Sequence, residues 1–168
     1  FDGLVTLVST DAALPAANEI AGSSALNASS TVIAELGTIV DQIPAELYGK
    51  EDLRIFISQA THKAYVRAMG ALGYVDKFNN QAMGEDLLFD GIKLCVVHGL
   101  TGFQAMATTI DNIFFACGLQ NDENVVKLID MADVDGSENV RLIMRMTGAV
   151  QYYNVEEIVT YGITNSAN

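Results

Sequence analysis

Two cysteines and two histidines are the first residues of this chain that suggest chemistry. Cys95 and His98 lie three positions apart in an apolar run, where a thiolate and an imidazole base would form a nucleophilic pair. Residues three apart on a strand point to opposite faces of the sheet, so this spacing argues against a catalytic dyad. His62, Cys95, His98 and Cys117 also lack the paired spacing that is typical of zinc sites. We therefore expect both cysteines to be small buried hydrophobic residues.

An acidic stretch between two apolar runs is the second candidate. Asp130, Asp133, Asp135 and Glu138 alternate with other residues, and a glycine follows the third carboxylate, as in a calcium-binding loop. The glutamate that closes such a loop at its twelfth position is missing, because Met144 stands there. Asp-Gly between two β-rich runs is also the strongest short signal for a β-hairpin. We favour the hairpin turn and keep a weak cation site as the alternative.

Other catalytic signatures are missing from the sequence. It has no nucleophile elbow, no Walker loop and no dinucleotide-binding fingerprint, and its glycines occur singly at predicted turns. The adjacent carboxylates at 122–123 and 156–157 are typical of solvated charges. The sequence therefore predicts a protein that is not an enzyme and that needs no cofactor.

Composition narrows the possible partners. The 168 residues suit one domain or one domain with an appendage, and the formal net charge is −12. Phosphate groups would be repelled, which argues against a general nucleic-acid surface or an anionic membrane surface. The sequence holds neither a run of about 20 apolar residues nor a signal peptide. Half of the residues are hydrophobic and only 18% are charged, so we expect apolar surface to be buried against partners.

Several segments have clear secondary-structure signals. Apolar residues at the helical period predict a helix from about 32 to 43, which Pro44 ends. Residues 53–58 read as a strand covered on both faces, and Ser58 then caps a helix over 59–69. Residues 9–31, which are rich in Ser, Thr, Ala and Asn, read as a surface connection.

The second half of the chain is rich in β signals. Phe89-Asp90-Gly91 predicts a turn between two short strands. Further strands are predicted at 92–98, 112–117, 125–131, 140–147 and 155–161. Alternation in the run at 140–147 places Arg141, Ile143 and Arg145 on one face, opposite Val140, Leu142, Met144 and Met146. A ribbon with paired cations on an acidic chain suits docking to another copy of the same molecule.

Three groups of residues follow one another between about residue 30 and the end of the sequence. The first group is Ile43–Ser58 with His62–Ala68, the second is Leu88–Lys93 with Asn112–Leu119, and the third is Lys127–Met131 with Asp135–Thr147 and Val150–Tyr152. In this order they resemble the major capsid proteins of tailed bacteriophages with the HK97 fold. Most of these are packing and turn residues, and their order makes the resemblance specific.

The resemblance implies an α+β fold with three parts. Residues 1–29 would be a connecting segment, 30–120 an axial domain with a sheet flanked by helices, and 121–168 a peripheral β-ribbon with a C-terminal strand. The loop at about 72–86 would face the centre of a capsomer. The subunit interface candidates are Phe78, Asn79, Asn80, Arg141 and Arg145. Because the family's N-terminal arm, extended loop and spine helix are missing, we expect Phe1 to lie after them in a longer or processed protein.

The function that the resemblance implies is that of a structural subunit, which assembles with copies of itself into a shell around packaged DNA. Portal and scaffold proteins are the further partners that the family offers, with no specific nucleic acid and no membrane. The expected location is the virion, after assembly in the host cytoplasm. Two alternatives stay open: an encapsulin-like nanocompartment shell, which shares the fold, and a cation-binding or small-molecule-binding domain.

Overall fold

The computed structural model describes residues 2–73, 87–117, 125–132, 136, 138–145 and 148–166. The described part is a mixed α+β fold, as predicted, with one six-stranded sheet, helices packed on it, and two separate two-stranded ribbons. The helices are α1 Leu4–Thr10, α2 Val32–Asp41 and α3 Gln59–Ala71. The strands are β1 Glu19–Ile20, β2 Leu53–Ile57, β3 Leu87–Phe89, β4 Ile92–Val96, β5 Ala105–Thr109, β6 Ile113–Cys117, β7 Val125–Asp130, β8 Val140–Arg145, β9 Gly148–Tyr152 and β10 Val159–Tyr161.

The two longer helices form where the sequence predicts them. The apolar stripe of α2 is buried, and the helix ends at Asp41, shortly before Pro44. The Ser58 side chain accepts a hydrogen bond from the backbone N–H of Thr61, which confirms it as the N-cap of α3. Helix α3 continues to Ala71, two residues beyond the predicted end.

The central sheet has the strand order β1-β10-β5-β2-β4-β3. Strands β2 and β4 are parallel, while β5 runs antiparallel to both β2 and β10. All five residues of β5 are buried, and the sequence analysis did not predict this strand. The predicted turn at Asp90 and Gly91 is confirmed, because β3 and β4 pair around it and both residues have positive φ angles of 49° and 79°.

The sheet is covered on both faces. Leu36 and Ile39 of α2 and Tyr65 of α3 pack with Ile55 of β2 on one face. On the other face a smaller cluster joins Val8, Leu14, Met106 and Ile158. Leu14 and Leu26 are buried, so the segment at 9–31 differs from the predicted surface connection and contributes both core side chains and strand β1.

Sheet boundaries do not follow the predicted domain boundary at residue 120. Strand β10, from the predicted peripheral segment, lies inside the central sheet between β1 and β5. Residues 155–157 form a 3-10 turn rather than the start of this strand. Strand β6, from the predicted axial segment, pairs outside the central sheet with β9.

Gly22 and Gly162 come into close contact just beyond the ends of β1 and β10. Gly162 has a φ angle of 67°, which favours glycine. A Cβ atom on Gly22 would lie 2.3 Å from the Gly162 Cα atom, and the Phe103 ring packs against both glycines. The chain therefore needs glycine at both positions to bring β1 against β10.

Candidate assembly surface

The β7–β8 hairpin, called the ribbon below, presents an apolar face. Its register places Val126 opposite Met144 and Leu128 opposite Leu142, so these side chains share one face. The apolar side chains of that face, which are between 53% and 69% exposed, are Val126, Leu128, Val140, Leu142 and Met144. Two isolated strands are marginally stable in water, and a contiguous exposed apolar patch is typical of an interaction surface.

The opposite face of the ribbon is cationic. Lys127 and Arg141 are exposed on it. The predicted interface role of Arg141 and Arg145 stays a prediction. The two strands hold three of the nine basic residues of the chain and one of its 21 acidic residues. The ribbon strands are therefore positive, whereas the rest of the chain is strongly negative.

The β6–β9 pair is a second exposed two-stranded ribbon. Phe114 and Phe115 point to opposite faces of it, and both are more than half exposed. Tyr153, just after β9, is 85% exposed. Exposed aromatic side chains on both faces of a ribbon are typical of residues that a partner covers, because aromatic residues are enriched in protein interfaces.

A polar network anchors the β6–β9 pair to the central sheet. The buried Asn112 side chain donates to Thr108 Oγ1 at 3.1 Å and to the Asn154 carbonyl at 2.8 Å. Its Oδ1 atom accepts from the backbone N–H groups of Tyr153 and Asn154. The Tyr152 hydroxyl donates to the Asp11 carboxylate, and burial together with this carboxylate raises the pKa of Tyr152 to about 12.

The acidic stretch joins the two ribbon strands, which confirms the hairpin interpretation. Asp130 Oδ1 accepts a hydrogen bond from the Ala132 backbone at 3.0 Å, and Gly136 has a φ angle of 73°. Asp130 and Glu138 are exposed, while Asp133 and Asp135 lie outside the described residues. Within the described ranges, no group of three or more His, Cys, Asp or Glu side chains is arranged to hold a metal ion.

Three further interface candidates, Phe78, Asn79 and Asn80, lie outside the described residues. Of the cysteines, Cys95 is half-buried in β4 and Cys117 is exposed, so the expectation of burial is wrong for Cys117. The reason is that β6, which ends at Cys117, pairs with β9 outside the central sheet, and its last four residues are exposed. His98 lies beyond the end of β4 and is exposed, whereas burial lowers the pKa of His62.

A cavity of about 470 Å³, called the cationic hollow below, lies beside the start of β2 and the β3–β4 turn. Sequence analysis did not identify it. Its charged lining side chains are Lys50, Glu51, Arg54, Asp90 and Lys93, and the Tyr48 hydroxyl donates to Asp90 Oδ2 at 3.1 Å. The carboxylate of Asp90 raises the pKa of Tyr48, so this phenol stays protonated at neutral pH. Three basic side chains thus meet at one place on an acidic chain.

No protein-family model matches this chain, and the search of curated proteins found no significant match. Across the described ranges, no helix combines the length and the apolar character that a membrane span requires, and the longest helix has 13 residues.

Proposed function

We propose that the protein is a structural subunit that assembles with copies of itself into a closed shell, and that this shell is a phage capsid of the HK97 type. The observation that carries the proposal is the apolar face of the ribbon. Five large apolar side chains on a two-stranded sheet stay more than half exposed in the single chain. Burying them in an interface contributes roughly 25 cal/mol per Å² of apolar surface.

Charge gives the proposal a second support. A chain with a net charge of −12 repels copies of itself at long range, so a lateral contact needs local cations. The ribbon supplies them at Lys127 and Arg141 on the face opposite the apolar one. An acidic subunit also keeps away from phosphate, which suits a container that must not bind its own packaged nucleic acid.

The experiment compares assembly of the full chain with assembly of a double variant, Leu128→Ser with Leu142→Ser. We expect shells or large oligomers for the unmodified protein in its full-length form and loss of assembly for the double variant, measured by sedimentation velocity and negative-stain electron microscopy. The matched control is Ile110→Ser. It removes an apolar side chain that is 48% exposed in the turn between β5 and β6, outside the ribbon. Normal particles from the double variant would refute the proposal.

The cationic face is tested separately by the pair Arg141→Glu and Arg145→Glu. We expect impaired assembly with a nearly unchanged melting temperature, because exposed ion pairs contribute only about 0–1 kcal/mol within one molecule. The measurements are particle yield by electron microscopy and thermal unfolding by circular dichroism. A large fall in melting temperature would instead assign the arginines a role in folding.

A further inference from the structure

The two faces of the central sheet are covered to different extents. Phe56 of β2 and Met106 of β5 are direct partners in the sheet, so both side chains project from the same face. Met106 is buried in the cluster that contains Val8, whereas Phe56 beside it is half-buried. The three residues of β2 that project from the other face, towards the helices, are all buried. Within the part of the chain that the structure describes, the cover of the Phe56 face therefore weakens from β5 to β2.

A cavity of about 460 Å³, called the apolar groove below, lies where this cover weakens. Among the described residues, no charged side chain lines it, and it shares no lining residue with the cationic hollow. Cavities of this size accept a small organic molecule or more than one aliphatic side chain. The large apolar residues of its lining include Leu4, Val5, Phe56, Val97, Leu100 and Ile113.

The ribbon is an apolar surface of the complementary kind. Its apolar face projects two cross-strand pairs, Val126 with Met144 and Leu128 with Leu142, and all four side chains are more than half exposed. A two-stranded sheet with an apolar face needs a further layer to pack against. The groove is a sheet surface with an incomplete layer, and the ribbon is a thin layer that could complete it by face-to-face sheet packing.

Charge favours a second copy of the chain as the occupant of the groove. The ribbon strands are positive, whereas the rest of the chain is strongly negative. A ribbon that approaches the body of another copy is therefore attracted at long range. At the groove, docking of Leu128 and Leu142 desolvates no ion of the described lining. Lys127 and Arg141 lie on the opposite face of the ribbon and stay in contact with water.

We propose that the apolar groove of one subunit receives the apolar face of the ribbon from a second copy of this chain. The inference rests on the proposed function, since it names the surface that the ribbon meets during assembly. The contact joins two different surfaces, and such a heterologous contact generates rings or open arrays. Apolar anchors that fill a pocket carry much of the energy of an interface, so blocking the groove should weaken assembly strongly.

The first test fills the groove with a side chain of its own subunit. Gly99 lines the groove and has no positive φ angle, and a Cβ atom there would lie 3.9 Å from Val97 Cγ1, an ordinary contact distance. In the full-length protein, we expect Gly99→Trp to raise the concentration needed for assembly, measured by light scattering, by on the order of tenfold. The matched control Gly37→Trp changes a glycine of α2 that also has space for a Cβ atom but lies outside the groove. It should leave this concentration unchanged.

The second test asks whether the ribbon and the groove of different subunits meet. One subunit carries Val97→Cys in the groove, and the other carries Leu142→Cys on the ribbon. The native Cys95 and Cys117 are changed to alanine in both, and a tag gives the two subunits different masses. A short bismaleimide should join unlike subunits into a mixed dimer that is visible on a denaturing gel. With Thr38→Cys, which is exposed on α2, in place of Val97→Cys, no mixed dimer should form.

The outcomes separate this inference from the function on which it rests. A mixed dimer together with weaker assembly of Gly99→Trp supports the contact, and circular dichroism shows whether each variant keeps its fold. If Gly99→Trp does not fold, the cross-link alone decides. If Gly99→Trp assembles normally while Leu128→Ser with Leu142→Ser does not, the inference is wrong and the function stands.

Weaker assembly of Gly99→Trp without a mixed dimer also overturns the inference, and it assigns the groove to another segment or to a small apolar molecule. If the unmodified full-length protein forms no assembly at all, the proposed function fails and the inference fails with it.

Discussion

The central sheet and the ribbon both contain strands rich in apolar residues, but these side chains are buried in the sheet and exposed on the ribbon. In the central sheet, Leu53, Ile55 and Ile57 of β2 are buried under α2 and α3. In the ribbon, Leu128 and Leu142 face each other across two strands with both side chains more than half exposed. The difference lies in what covers the strands, because a sheet needs a packed layer on its face to bury apolar side chains. A region of an otherwise well-packed protein that lacks this layer is where a partner is expected.

The largest loss of stability is expected when a core side chain that packs on the central sheet is truncated. Ile39 of α2 is fully buried against the sheet, so Ile39→Ala should lower the free energy of unfolding by about 2–5 kcal/mol through lost burial and a cavity. Urea unfolding followed by circular dichroism measures this loss. A change below about 1 kcal/mol would show that the α2 layer packs loosely, and the contrast with the ribbon would weaken.

The junction between the central sheet and the other exposed pair of strands, β6–β9, is tested at Asn112. Asn112→Ala removes four hydrogen bonds that connect Thr108, Tyr153 and Asn154 to a buried side chain. We expect a loss of about 1–3 kcal/mol in the free energy of unfolding. The exposed Asn139, in the ribbon turn, is the matched control, and Asn139→Ala should cost much less. Equal effects of the two variants would mean that the network does not anchor the β6–β9 pair.

The contact between Tyr152 and Asp11 should make the free energy of unfolding depend on pH in the alkaline range. The folded pKa of Tyr152, about 12, lies above the ordinary value of 10. The fold therefore favours the protonated phenol, and the resulting stability is present below pH 10 and is lost as the pH rises through 12. Tyr152→Phe should lower the free energy of unfolding by about 1 kcal/mol at neutral pH. The variant should also lose less stability than the unmodified chain as the pH rises from 10 to 12. The measurement is the urea midpoint from pH 7 to 12, and parallel curves for both proteins would contradict it.

The smallest effect on stability is expected in the ribbon itself. Leu142 is more than half exposed, so Leu142→Ala should change the free energy of unfolding of the unassembled chain by less than about 0.5 kcal/mol. Chemical unfolding at a protein concentration below that of assembly isolates this value. A loss as large as that for Ile39→Ala would place Leu142 in the core and would remove the contrast between the two regions.

Much of the fold could be predicted because local signals and tertiary packing agree. The apolar stripe ahead of Pro44 predicted α2, and Ser58 predicted the start of α3. Asp90-Gly91 predicted the β3–β4 turn. In these places the backbone preferences of one or two residues set the ends of an element, and no distant contact overrides them.

The missed elements have weak or misleading local signals. The sequence of β5, Ala-Met-Ala-Thr-Thr, has no alternation, because all of its residues are buried between the two layers that cover the sheet. Helix α1 is rich in Val and Thr, which are common in strands, and it is helical where Val8 packs into the second core cluster. The segment at 9–31 is polar overall, yet two of its leucines are buried. In each case tertiary packing decided the outcome.

The sequence by itself determined the α+β class of this protein and the positions of its main helices and hairpins, because periodicity and turn residues act over a few positions. Only the tertiary structure decided which apolar strands are covered and which stay exposed. It alone also placed Lys93 beside Arg54, since strand order and register join residues that are far apart along the chain. The surfaces on which the proposed assembly depends are therefore products of packing.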